Sequence, residues 1–161
     1  MGKKKMQLLS VKNLYRQDVG ATEKFDFVES GESFDFPEAI EVSEIRGKVT
    51  VFRLEDTVAV SGEYSADLTL ICDRCLDNFE TTVEFIFERE YTLDRKGESE
   101  ESLYVDKRGD VDLTGPIHDE LLLAIPTQNF CKADCEGICQ GCGQNMNHEK
   151  CTCNIKSEIT K

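Results

Sequence analysis

The stretch Val49–Cys75, VTVFRLEDTVAVSGEYSADLTLICDRC, decides how this chain folds. Within it Ala66, Leu68 and Leu70 alternate against Asp67 and Thr69, the period of two that turns one side of a strand to a core and the other to water. Val49–Leu54 and Thr57–Ser61 are shorter candidates, joined by the tight but Gly-free turn Glu55-Asp56. Downstream, Val83, Phe85 and Phe87 alternate against Glu84 and Glu88, and upstream Phe25–Val28 is a further short run. Several strands at short spacing predict an antiparallel sheet or a partly closed barrel.

A helix is expected near residues 115–125. Thr114 suits its cap and Pro116 its first turn, Ile117, Leu121, Leu122 and Ile125 make one apolar face, and Pro126 ends it. This helix should cover one face of the sheet. The charged stretch Asp94–Glu101, DRKGESEE, lacks periodicity and reads as a mobile loop. The class is therefore α+β: mainly antiparallel sheet or partly closed barrel, one covering helix and a small zinc-stapled C-terminal tail.

The 161 residues suffice for one real core, so residues 1–130 are read as a β-rich main domain and 131–161 as a cysteine-rich zinc-binding tail. The longest apolar run, Leu121–Ile125, is far short of a membrane span. The start MGKKKMQLLSVK has no apolar signal core, and Met6 stands where myristoylation wants Ser or Thr, so a cytoplasmic location is expected.

The net charge of −13 is unevenly distributed. Residues 1–16 carry five basic and no acidic side chains, whereas 17–130 carry 10 basic against 28 acidic. That acidic body repels a phosphate backbone and reads either as a solubilising surface or as a dock for a basic protein. Direct RNA or partner contact is left to Lys3, Lys4, Lys5, Lys12 and Arg16 at the N-terminus and to Lys132, Lys150 and Lys156 in the tail.

Six of the eight cysteines lie between Cys131 and Cys153. In a reducing cytosol close cysteine pairs point to thiolates on a metal rather than to disulfides. Two residues between cysteines let both sulfurs of one turn reach the same tetrahedral ion, and two such pairs close a four-thiolate zinc site. Cys139 and Cys142 carry the strongest signal, because Gly141 and Gly143 free the turn that brings backbone amides to sulfur. One zinc from Cys139, Cys142, Cys151 and Cys153 is the first choice, although the narrow Cys-x-Cys at 151 and 153 is less typical of a knuckle. His148 is a candidate substitute ligand. Cys72, Cys75, Cys131 and Cys135 are left for a second site, giving one or two zinc ions, with an iron–sulfur centre as the other metal option.

A Cys-x-x-Cys after a strand can also be a redox pair. The sequence after Cys75 returns to a strand pattern, so no helix follows to lower the thiol pKa, and a thiol–disulfide oxidoreductase using Cys72 and Cys75 is the lesser alternative. No P-loop, GxGxxG, GxSxG or HExxH occurs, and His118 in the first helical turn reads as a structural side chain. No catalytic residue and no small-molecule substrate is expected. A zinc-binding interaction module unrelated to ribosomes is the other rival.

Two segments carry a resemblance: CDRCLDNFE at Cys72–Glu80, and PTQNFCKADCEGICQGCGQNMNHEKCTC at Pro126–Cys153. The Cys-x-Arg-Cys-Leu knuckle and the run from Cys135 to Asn147 are its sharpest parts. The chain resembles the YceD family, the large ribosomal RNA subunit accumulation proteins, from about Val49 onward. The resemblance implies a non-enzymatic role in accumulation of large-subunit ribosomal RNA. RNA of that subunit, or one of its basic proteins, is then the partner.

Overall fold

The computed structural model describes residues 7–37, 40–92 and 103–153. The stretch Asp94–Glu101 lies outside the described residues, as do Lys3, Lys4, Lys5 and Lys156. In chain order the elements are β1 (Leu8–Ser10), β2 (Thr22–Ser30), β3 (Glu41–Arg53), β4 (Thr57–Ile71), β5 (Asn78–Thr92), β6 (Asp110–Asp112) and α1 (Thr114–Ala124). Short 3-10 turns occupy Leu14–Arg16 and Gly31–Ser33.

Strands β2-β3-β4-β5 form one antiparallel sheet in sequence order, and β1 pairs with β6 in a second, two-stranded sheet. The main sheet is open rather than closed into a barrel: β2 and β5 stay at its two edges. The sequence reading divides the strands too finely. Val49–Leu54 covers the end of the 13-residue β3, which stops at Arg53, while Thr57–Ser61 and Ala66–Leu70 merge into the 15-residue β4. Gly47, Gly62 and Tyr64 break the aliphatic pattern in the sequence without breaking the strands. The Tyr64 ring lies over both glycines, so a Cβ at either would drive into it. Phe27, Phe85 and Phe87 each stand 5.2 Å from that ring, giving an aromatic layer across the sheet.

Alternation holds where it was legible. Val58, Val60, Ala66, Leu68 and Leu70 of β4 are buried, and Glu84 and Glu88 of β5 are exposed. Helix α1 packs on β5, burying Ile117 and Leu121 completely, with Glu120 paired to Arg89 at 2.5 Å. Leu122 and Ile125 are only half-buried. Thr114 differs from the expected cap. It is the first helical residue, its hydroxyl accepts from the Gln7 amide at 2.8 Å, and its own amide donates to the Asp112 carboxylate at 2.8 Å. That hydroxyl serves to dock the N-terminal strand beside the helix.

The N-terminal segment is likewise docked from Leu8 onward. Val11 and Leu14 are fully buried, while Lys12, Asn13 and Arg16 face out. His118 is structural: its ring stacks 5.2 Å from Phe36, and its nitrogens meet the Asp35 carbonyl and the Asp119 carboxylate.

Candidate metal centres

The β4–β5 hairpin turns through Cys72-Asp73-Arg74-Cys75-Leu76-Asp77. Cys72 donates its amide to the Asp77 carbonyl at 2.9 Å, Leu76 donates back to the Cys72 carbonyl, and Leu76 takes a left-handed φ of 63°. This tight loop turns both sulfurs inward. After α1 the chain comes back to it: Asp73 donates to the Asn129 carbonyl at 2.8 Å, and the Asn129 amide donates to the Asp73 carboxylate at 2.7 Å. The Arg74 guanidinium lies over the Phe130 ring at 4.2 Å. Cys131 and Cys135 are thereby carried onto the hairpin.

The outcome is a cluster of four sulfurs, Cys72, Cys75, Cys131 and Cys135, all within 4.8 Å of one another. Sγ of Cys72 is 3.8 Å from that of Cys135, and Cys75 is 3.7 Å from Cys131. Four ligands about 2.3 Å from a tetrahedral ion stand about 3.8 Å apart, so this donor set fits a thiolate-bound ion. A second cluster gathers Cys139, Cys142, Cys151 and Cys153. Its separations are tighter: 3.2 Å from Cys139 to both Cys151 and Cys153, and 2.7 Å between Cys151 and Cys153. The pinch falls on the Cys-x-Cys pair, which has to open to surround an ion. Gly143 takes φ 74° in the turn between Cys139 and Gln144, where its amide donates to the Cys139 carbonyl.

Backbone amides tune the sulfurs. Burial works against ionisation of Cys72, yet amides of Cys75, Cys131 and Arg74 aimed at its sulfur bring the thiol down to about 6. No helix is involved; the knuckle itself supplies the donors that the sequence reading sought in one. In the second cluster the Cys142 and Gly141 amides bring Cys139 to about 6. Burial and neighbouring sulfurs push Cys131 up to about 12, and neighbouring sulfurs push Cys153 up. Four like charges cannot share so small a volume, a conflict that a divalent cation would resolve by replacing protons.

The strap after the second turn clasps the first cluster. Asn147 donates its amide nitrogen to Cys135 Sγ at 3.4 Å and accepts from the Glu136 amide at 3.0 Å. His148 is not among the four sulfurs' company; its Nε2 meets the Asp77 carboxylate at 2.8 Å. Asp77, Asn147 and Asn145, which donates to the Asp77 carboxylate, are thus supporting residues to which sequence reading assigned no role, although all three lie within the two segments that carry the resemblance. Among the described basic residues, Lys12 and Arg16 line one surface hollow together with Lys107, Arg108 and Tyr15. Lys132 and Lys150 are exposed on the tail, apart from that patch.

The knuckle, the returning segment and both sulfur clusters fall within one family match: residues 60–159 fit the model of the large ribosomal RNA subunit accumulation protein YceD. The chain belongs to the YceD family. An uncharacterized protein of Mycobacterium leprae is similar at 26% identity over 97 residues, 58% of this chain and 45% of that protein. The chain therefore spans under half the length of that curated relative. No solved structure matches the chain. Among the described residues no helix is long and apolar enough to cross a membrane.

Proposed function

We propose that this YceD-family chain is a non-enzymatic, cytoplasmic factor in large ribosomal subunit biogenesis that binds a basic protein of that subunit. The family match, which spans both sulfur clusters, carries the ribosomal part of the reading. Zinc is the ion that suits all-thiolate tetrahedra, and one ion per cluster gives two. Separations below 4.8 Å favour single ions over multi-iron clusters, whose thiolates sit on different irons. On this reading the tail, residues 131–161, is held to the main domain by the first zinc.

Burial argues against the redox alternative. Cys72 is fully buried and packed against three other sulfurs, so a substrate disulfide has no path to it. Direct RNA contact is the second reading, favoured by the patch of Lys12, Arg16, Lys107 and Arg108 around Tyr15.

Depleting the protein in cells should lower large-subunit RNA relative to small-subunit RNA, and an unchanged ratio would sink the proposal. Binding against salt separates the routes. Four phosphate contacts from the basic patch predict a log–log slope of about −3 to −4 with naked RNA, lost when those side chains become alanine.

A further inference from the structure

The proposed partner class leaves open which surface meets it. Resting on that reading, we propose that the free edge of β5 takes up an extended, basic segment of the partner as a fifth strand of the main sheet. A groove of about 540 Å³ runs beside this edge, lined by Leu70, Phe79 and residues 81–84, by Ala124 and Pro126 at the end of α1, and by residues 128–130 and 132–133. Thr81 and Val83 belong to the core-facing row of β5, and Thr82 and Glu84 to the outer row. A hollow touched by both rows lies against the strand's backbone edge.

From Asn78 to Tyr91 that edge pairs with no other strand among the described residues; only Thr92 bonds onward, to Leu103 and Val105. An unpaired edge offers a ladder of donors and acceptors to an incoming strand. Along the outer row stand Glu80, Glu84, Glu88 and Glu90. Among the described residues no ion pair engages Glu80, Glu84 or Glu88; Arg89 of the same strand is taken by Glu120, and Lys132 lines the groove with Glu84. Same-face residues of a strand repeat about every 7 Å, so an incoming strand with Lys or Arg at alternate positions matches this row. A second copy of β5 would set glutamate against glutamate, and a phosphate backbone is repelled. Phe130 and Lys132 of the far wall flank Cys131, and the Asp73–Asn129 bonds fasten it, so a filled first cluster shapes the groove.

The test uses the full zinc-loaded chain and a capped ten-residue peptide alternating Lys and Val, with a control peptide carrying Pro at the Val positions. The Lys-Val peptide should bind with amide shifts concentrated on β5. The Pro control, which cannot extend the ladder, and the groove-filling variant Ala124→Trp should each bind at least about tenfold more weakly. The surface variant Glu84→Lys/Glu88→Lys, which leaves the core untouched, should weaken the peptide and a basic large-subunit ribosomal protein by about tenfold or more. Equal binding of the Pro control overturns strand addition. A ribosomal protein that binds wild type and Glu84→Lys/Glu88→Lys alike overturns the groove while the proposed function stands. Binding of large-subunit RNA with no binding of any basic subunit protein overturns the reading beneath it.

Discussion

Asn145 donates its side-chain amide to the Asp77 carboxylate at 2.5 Å, joining the strap between Cys142 and Cys151 of the second sulfur cluster to the hairpin that forms the first, 68 positions away. Asn145 also accepts from the Asn147 amide at 2.9 Å, and Asn147 in turn touches Cys135. Groups that hold a metal ligand from behind govern how firmly it grips. Asn147→Ala and Asp77→Ala are expected to weaken metal binding at the first cluster by about 10- to 100-fold, measured by competition with a chromophoric chelator. An unchanged affinity in both would show that the strap does not support the site.

Metal content follows from the two clusters. Protein purified without chelator should contain two zinc ions per chain by elemental analysis. One ion would mean that the pinched cluster of Cys139, Cys142, Cys151 and Cys153 stays empty, and iron would overturn the choice of ion.

The two clusters should differ in what their loss destroys. Residues 136–153 contribute no member to the main apolar core, so Cys139→Ser should release the strap and leave the sheet's circular dichroism intact. Cys72→Ser should free the whole segment from Asn129 onward, read as exchange of the Cys131 and Cys135 amides. Global unfolding by Cys139→Ser would contradict this division.

Gly62→Ala tests the aromatic layer. The added Cβ collides with the Tyr64 ring, which is enclosed by Phe27, Phe85 and Phe87. Overpacking of this kind costs about 1–3 kcal/mol, visible as a lower urea midpoint. A midpoint equal to wild type would mean that the ring moves freely.

Alkaline pH should loosen the fold through three tyrosines. Burial pushes Tyr15 up to about 12 despite the nearby Arg53 guanidinium, and burial also pushes Tyr64 and Tyr91 upward. A folded pKa above the unfolded value means that the native state holds the proton longer, so this stability is complete below pH about 10 and is lost as pH rises through about 12. Phenolate absorbance should therefore lag in the native protein and rise together with unfolding. Ionisation of all three near pH 10 with the fold intact would refute the burial.

What the sequence determined by itself is local. The period of two in Ala66–Leu70 and Val83–Phe87 specifies strands because successive side chains alternate faces whatever the partner strand is. The turn at Glu55-Asp56, the apolar face of Ile117 and Leu121 and the paired cysteine spacings are legible for the same reason: each is a relation among residues within a few positions. The tertiary structure alone decided what meets across distance. Pairing of Leu8–Ser10 with Asp110–Asp112 leaves no periodic mark in three residues, and Thr114 looked like a cap because its hydroxyl's partner, Gln7, is 107 positions away. The same holds for Cys135 against Cys72 and Asn145 against Asp77. Closing such loops costs chain entropy that only the summed packing of sheet, helix and returning segment can offset, so these contacts exist in the folded whole and in no local stretch of it.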